Sequence, residues 1–342
     1  MTRGLAGVVV ADTALSRVDG ERGELVLRGM RVQDAARLGF EALVSHLWGE
    51  PVELGAARVQ AADLLRRHSW VGGRVATPRV AMDALRAAIG ALPEVDDCVL
   101  VAAVGVTLAA WVRREDLVPD PALGHAADLL RMIRGESASE AEVEALDAYL
   151  CTVVDHGLNA STFAARVVAS TGSDHVSAVV AGLGALKGPL HGGAPGPVLD
   201  MLDAIGDADR AEPWIRAELA AGRRIMGMGH RVYRVRDPRA AALEGALGRL
   251  GADQGRLELA RAVERTAERI LEAHRPGRKL RANVEFYTAT LLEALGVPRA
   301  AFTATFAASR VAGWIGHARE QEATGTLIRP RAAYVGPEVA AG

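Results

Sequence analysis

The sequence predicts an all-α protein with only minor β-hairpins at its N-terminus. Three observations lead there. Apolar residues recur at helical spacing through most of the chain, cap residues and glycine or proline breaks bracket those stretches, and short β-branched runs gather near the start. VVVADTALSRVDGERGELVLRG, interrupted by Asp19-Gly20 and Arg22-Gly23, reads as a small hairpin or two. Thr77 is placed to cap a helix with Pro78 at its first position, Met82, Leu85, Ile89 and Leu92 forming its stripe and Pro93 ending it. The run from Cys98 to Val112 is apolar all round, so it predicts a helix buried on every side; it is shorter than the roughly 18 residues needed to span a bilayer. Ser139 and Glu142 form a capping box ahead of EVEALDAYLCTVV, and Asp174 caps the interior helix that stops at Gly188-Pro189. Helices are further predicted over 211–222, 253–274, 282–296 and 302–324, followed by an extended tail, TLIRPRAAYVGP.

At 342 residues the chain exceeds the roughly 150 residues of a common domain, which favours two lobes with a cleft between them. Lys+Arg 40 against Asp+Glu 42 leaves a formal charge of -2, so no global field draws the protein to nucleic acid or to a membrane surface. Any anion it binds is recognised locally. Cys98 and Cys151 both lie in apolar runs and read as reduced, buried thiols, which suits a cytoplasmic protein; the start lacks the pattern of a signal peptide.

Candidate chemistry begins at IMGMGHRVYRVRDPR. Gly227 and Gly229 flank Met228 and free the backbone before His230, and Arg231, Arg234, Arg236 and Arg239 follow with only Asp237 between them. Such a segment is either a solvated basic helix end or a place where carboxylates or phosphates bind, since a guanidinium matches them with paired hydrogen bonds. His191 and His230 lie in glycine-rich turns and His156 in VDHGLNAST, all beside polar neighbours. The remaining six, His46, His68, His125, His175, His274 and His317, read as surface or cap residues. No His-x-x-x-His or Cys-x-x-Cys spacing supports zinc, and no G-x-S-x-G elbow supports a serine hydrolase. Glu285 stands among Val284, Phe286 and Tyr287. It is either a first-turn glutamate favoured by the helix dipole or a carboxylate whose burial makes it a better base.

Taken together, GLAGVVVADTALSRVDGERGELVLRG, DHGLNASTFAARVVAST, GPLHGGAP, IMGMGHRVYRVRDPR, NVEFYTATLLEALGVP, FAASRVAGWIGHAREQ and IRPRAAYVG resemble, in family order, the citrate synthase family in its short bacterial and archaeal form. The resemblance implies a helical homodimer, each subunit with a large domain (1–192 and 291–342) and a smaller mobile one (193–290). It implies condensation of acetyl-CoA with oxaloacetate to citrate and CoA, the CoA thioester being substrate, with neither metal nor cofactor. Glu285 would stand where the family's aspartate removes the methyl proton. His191 would donate to the thioester oxygen, and His230 would polarise the oxaloacetate carbonyl and protonate the alkoxide. Arg239, Arg310 and Arg329 would hold carboxylates, Arg329 across a dimer interface, with His156 as a polar contact and Phe306 packed nearby. Gly227, Met228 and Gly229 would meet the CoA adenine and Arg234 its phosphates; Lys279 matches CoA binding more loosely.

Four positions depart from the family pattern: Glu285 for the aspartate, Gly157 for a glutamate, Pro195 for an asparagine and Ala282 for a proline. The added methylene of Glu285 implies reduced or redirected activity. The sequence is therefore compatible with a citrate-forming enzyme, with one using another acyl-CoA such as propionyl-CoA to give 2-methylcitrate, or with a catalytically weak paralogue that binds CoA or dicarboxylates.

Overall fold

The computed structural model describes residues 3–5, 7–68, 78–191, 195–251 and 254–337. A three-stranded antiparallel sheet opens the chain, with β1 (Ser16–Asp19), β2 (Glu24–Leu27) and β3 (Met30–Arg31) in that order. Ser16 pairs with Leu27 and Asp19 with Glu24. Between β2 and β3 the two-residue turn Arg28-Gly29 has φ of 43° and 89°, the left-handed pair that suits a tight hairpin. Leu25 and Leu27 point into the core. Val8 to Val10, also β-branched, form no strand.

Apart from this sheet, the regular structure among the described residues is helical. The α-helices are α1 (Val32–Ala35), α2 (Phe40–Trp48), α3 (Leu54–His68), α4 (Ala81–Ile89), α5 (Asp97–Arg113), α6 (His125–Arg134), α7 (Glu140–Val153), α8 (Ala160–Ala169) and α9 (His175–Leu186), then α10 (Pro195–Ile205), α11 (Ala211–Ala220), α12 (Pro238–Leu250), α13 (Gln254–His274), α14 (Val284–Ala294) and α15 (Phe302–Thr324). The capping box at Ser139 and Glu142 opens α7, and Asp174 caps α9 by accepting from the Ser177 N–H. Asn159, Asp237 and Asn283 cap α8, α12 and α14 in the same manner.

α5 is buried from Val99 to Trp111, as its unbroken apolar run predicts, and no described helix is long and apolar enough to cross a membrane. α15 is also buried around most of its length and packs on α5, α7, α8 and α9. Two glycines permit that closeness. A Cβ at Gly313 would stand 2.2 Å from the Val154 carbonyl oxygen at the end of α7, and one at Gly182 would meet the Trp314 ring at 2.7 Å. α15 thereby lies against both α7 and α9, where its polar residues Ser309, Arg310 and His317 are buried.

Several local expectations are corrected. α4 begins at Ala81 with Val80 as an uncapped N-cap, so Pro78 is not its first residue, and Thr77 lies outside the described residues. The same helix ends at Gly90, before Leu92 and Pro93. Cys151 is buried, but Cys98, on the first turn of α5, is only half-buried. His125 and His317 are core residues, not surface or cap residues. His317 is held in place because Arg166 donates to Nδ1 at 3.0 Å, which puts the ring proton on Nε2, 3.2 Å from Asp155.

His125 has no hydrogen-bond partner for either ring nitrogen, and burial followed by the charge of Arg58 lowers its pKa to about 3. It stays neutral when folded, whereas the unfolded chain takes up a proton below about pH 6.5. Stability is thus intact above that value and drains away as the pH falls toward 3. His125→Phe is expected to cut the loss of unfolding free energy between pH 6.5 and 5 by ~2 kcal/mol, read from urea midpoints. Equal pH dependence in both proteins would contradict this.

Candidate active site

Four of the candidate residues lie on α12, α14 and α15. Arg239 and Glu285 lie in the first turns of α12 and α14, and Phe306 and Arg310 on α15; His156 lies in the turn between α7 and α8.

His230 is oriented by its own loop. The backbone N–H groups of Val232 and Tyr233 donate to its Nδ1 at 3.0 and 3.1 Å, which assigns the proton to Nε2. Nε2 lies 3.4 Å from Arg239 Nη2. Both atoms are donors, so they converge on a position for a shared acceptor. Burial, then the charge of Arg239, lowers the His230 pKa to about 4, leaving a neutral ring at pH 7. The His156 ring stands 5.5 Å from that of His230, and its Nε2 shares a 3.1 Å hydrogen bond with Tyr233 Oη. Its pKa is also pushed far down, by burial and then by Arg239.

Gly157 explains one departure from the family pattern. Its φ of 61° suits glycine, and its N–H donates to Ser16 Oγ at 2.9 Å and to Asp155 Oδ2 at 3.1 Å. Burial raises the Asp155 pKa, but His317, Arg310 and Ser16 together outweigh it and hold it at about 2.

Arg239 is held by Asp237, to which it donates from its backbone N–H and Nε (Oδ1, both 3.0 Å) and from Nη2 (Oδ2, 2.8 Å). Burial opposes its charge; the Asp237 carboxylate more than compensates, and the pKa is raised. The same Oδ2 accepts the Val284 N–H at 3.2 Å, joining α12 to the start of α14. Arg310 donates from Nε to the Val153 carbonyl at 2.7 Å, its guanidinium lies 4.5 Å from the Phe306 ring centre, and its buried Nη2 has no partner. Burial lowers its pKa to about 10 despite the opposing pull of Asp155. A buried guanidinium nitrogen without a hydrogen-bond partner is costly, and an acceptor placed there would relieve it.

Glu285 combines an accessible edge with a buried oxygen, Oε2, that has no hydrogen-bond partner. Burial raises its pKa to about 7, further helped by Asp237 and opposed by Arg239 and Arg310. His191 approaches from the turn after α9. The Ser161 backbone N–H donates to its Nε2 at 3.4 Å, which puts the ring proton on Nδ1, and Ser161 Oγ, which donates to Asn159 Oδ1, lies 2.8 Å from the same nitrogen. Trp314 Nε1–H donates to that Oγ at 3.1 Å. Burial and then Arg310 lower the His191 pKa. Gly192 and Gly193, after His191, lie outside the described residues.

The glycine segment is zipped to the chain ahead of Glu285. Gly229 N–H donates to Arg281 O at 2.7 Å, Asn283 N–H to Gly227 O at 2.9 Å, and Asn283 Nδ2 to Gly229 O at 2.8 Å; Met228 faces Ala282 in a β-bridge. Gly227 has φ of 71°, and a Cβ there would press on Phe286 at 2.9 Å. Part of the backbone expected to meet CoA is therefore already engaged in the fold. Arg234 and Lys279 are exposed. Arg236 turns away to a bidentate pair with Glu264 and a contact with Glu244. Arg329 is exposed in the tail, and no hydrogen bond or ion pair joins it to the cluster among the described residues. Sequence reasoning missed Tyr233, Asp237, Ser161 and Trp314 as parts of this site; Tyr233 and Asp237 lay within the segment already singled out for His230.

The fold is that of a mostly helical transferase. The chain belongs to the citrate synthase family: the family model for citrate synthase, C-terminal domain, matches residues 4–331. The chain is 37% identical over 370 residues to citrate synthase of Haloferax volcanii, covering 98% of this chain and 96% of that one. It is equally 37% identical, over 368 residues, to a 2-methylcitrate synthase of Mycobacterium tuberculosis, covering 98% and 91%. Among solved structures, citrate synthase of Thermotoga maritima superimposes with a TM-score of 0.83 at 31% identity, covering 100% and 98%. The ternary complex of citrate synthase of Thermoplasma acidophilum with carboxymethyl coenzyme A and oxaloacetate gives 0.87 at 28% identity, also covering 100% and 98%. Citrate synthases act on a CoA thioester without a cofactor.

Keeping Glu285 protonable near neutrality has a thermodynamic cost. Between pH 4.5 and 7 the folded protein retains a proton that the unfolded chain has lost, so stability declines as the pH rises through that window. Glu285→Gln is expected to be more stable than the parent by ~1–3 kcal/mol at pH 8 and indistinguishable from it at pH 4, measured by urea unfolding. A destabilised variant at pH 8 would contradict the assigned burial.

Proposed function

We propose that the chain condenses acetyl-CoA with oxaloacetate and hydrolyses the product to citrate and CoA. The observation that carries this reading is the convergence of a buried, easily protonated carboxylate, Glu285, with two guanidinium groups and a neutral Nε2–H imidazole. Glu285 takes a proton from the acetyl methyl group while His191, through Nδ1–H, donates to the thioester oxygen. The resulting enol carbon attacks the oxaloacetate ketone. His230 Nε2–H passes its proton to the new alkoxide, and water then cleaves the thioester and releases CoA. A neutral imidazole polarises the ketone without bringing charge of its own, and the imidazolate left when His230 gives up its proton lies 3.4 Å from the Arg239 guanidinium, which compensates it until the proton taken by Glu285 returns to the ring.

Arg239 and Arg310 hold the oxaloacetate carboxylates, His156 adds a polar contact, and Phe306 packs beneath Arg310. Arg329 is delivered to the site of a second subunit in a homodimer. The segment 193–290, as the smaller domain, closes over the substrates, with Gly227 to Gly229 and Arg234 at the CoA end and Lys279 near it. Two unpaired cysteines agree with a cytoplasmic setting.

A second reading, propionyl-CoA giving 2-methylcitrate, is supported by a relative of that name at the same 37% identity. Thiol release from the two thioesters in the presence of oxaloacetate separates them: acetyl-CoA is expected to give the higher kcat/KM. A preference for propionyl-CoA would reverse the assignment, and no thiol release from either at high enzyme concentration would leave a binding protein. Glu285→Gln is expected to lower kcat at least ~1,000-fold. Because the base acts unprotonated, kcat in the parent should rise with pH through about 7; a rate that falls across that range would exclude Glu285 as the base.

A further inference from the structure

Tyr149 takes no part in the chemistry described so far, yet it is placed to act on it. It lies on α7, fully buried, and its hydroxyl has no hydrogen-bond partner. Val153, whose carbonyl accepts from Arg310, is one helical turn further on, so Tyr149 shares the face of α7 that meets α15. α7 packs on α12 and α14 as well. Glu285 and Arg310 are the charged groups whose fields reach the phenol. Each of them also has one buried side-chain atom without a partner, Glu285 Oε2 and Arg310 Nη2. The three atoms are two donors and one acceptor.

Leaving such atoms unpaired is unfavourable, and the arrangement suggests how they pair in the working enzyme. If Arg310 Nη2 is turned to a substrate carboxylate, the phenol is the remaining donor for the base. Glu285 has one more rotatable bond than aspartate, so its carboxylate can swing toward α7. We propose that Tyr149 is a positioning residue whose hydroxyl donates a hydrogen bond to Glu285 Oε2 and leaves the other carboxylate oxygen facing the substrate methyl group. This rests on the reading of Glu285 as the base. A glutamate at this position is then matched to a tyrosine behind it, not merely tolerated.

The proposal is tested with Tyr149→Phe, which removes one oxygen and keeps the ring. A donor to the carboxylate favours its ionised form, so the acid limb of kcat should move up by about one to two pH units in the variant. The other charged groups around Glu285 are Arg239 and Asp237 at α12 and Arg310 on α15, all left in place; His230, with its pKa of about 4, does not titrate in this range. At pH 7 kcat should fall roughly tenfold, with KM for oxaloacetate changed less than about twofold. At pH 5, where Glu285 is protonated in both proteins, the urea midpoint should be unchanged, because no bond to an ionised carboxylate is lost there. In Glu285→Asp, whose rate should be below the parent's, adding Tyr149→Phe should alter kcat by less than about threefold, since the shorter side chain does not reach the phenol.

An unmoved acid limb, a raised KM for oxaloacetate without a pH shift, or a lowered urea midpoint at pH 5 would each overturn the assignment to Tyr149. Glu285→Gln, assayed beside it, keeps the two readings apart. Full activity in that variant removes the base itself, whereas an inactive glutamine variant beside an unchanged Tyr149→Phe profile removes only the tyrosine.

Discussion

The carboxylate of Asp237 is the joint on which the site depends. It caps α12, grips Arg239 through three hydrogen bonds and accepts the Val284 amide at the start of α14, while its own N–H donates to Ala282 O. One side chain thus sets the position of the Arg239 guanidinium relative to the helix that bears Glu285. Its charge has two opposite electrostatic effects: it keeps Arg239 cationic and adds to the burial that holds back ionisation of Glu285. Deleting it would strand a buried guanidinium and free the start of α14 in one step.

Desolvation is the common force behind the protonation pattern. It pushes the imidazoles of His156, His191 and His230 down and the carboxyl of Glu285 up, toward uncharged forms in both cases. The site therefore approaches neutral pH with imidazoles as neutral donors and a carboxyl near its midpoint. Arg239 and Arg310 supply the fixed positive charge. Buried, incompletely paired groups of this kind are unfavourable for the fold, which is why the burial of Glu285 bears on stability as well as on protonation.

Much of the fold is legible in the sequence because the signals are local. The apolar run of α5, the capping box of α7, the Asp174 cap and the limits of α15 are all written in residues a few positions apart. The site is less so. His156, His230, Arg239, Arg310 and Glu285 are recognisable by type and by their family-like segments, and the fold brings them together. What joins them is long-range. Ser161 steadies His191 from thirty residues upstream, and Tyr149 reaches the neighbourhood of Glu285 only because α7 packs beside α14 and α15. His125 and His317 were misread for the same reason: their burial comes from partners such as Arg58, Phe40, Arg166 and Asp155, which no local window contains.

The β-bridge between Met228 and Ala282 locks the loop of His230 to the chain that leads into Glu285. Because residues 227–229 and 281–283 are matched one to one, an insertion or deletion of a single residue on either side would slip the pairing and turn an imidazole or a carboxylate to the wrong face. A change of length at these two strips would therefore disturb the site, whereas exposed residues 275–277, after α13, lie outside the matched pairing.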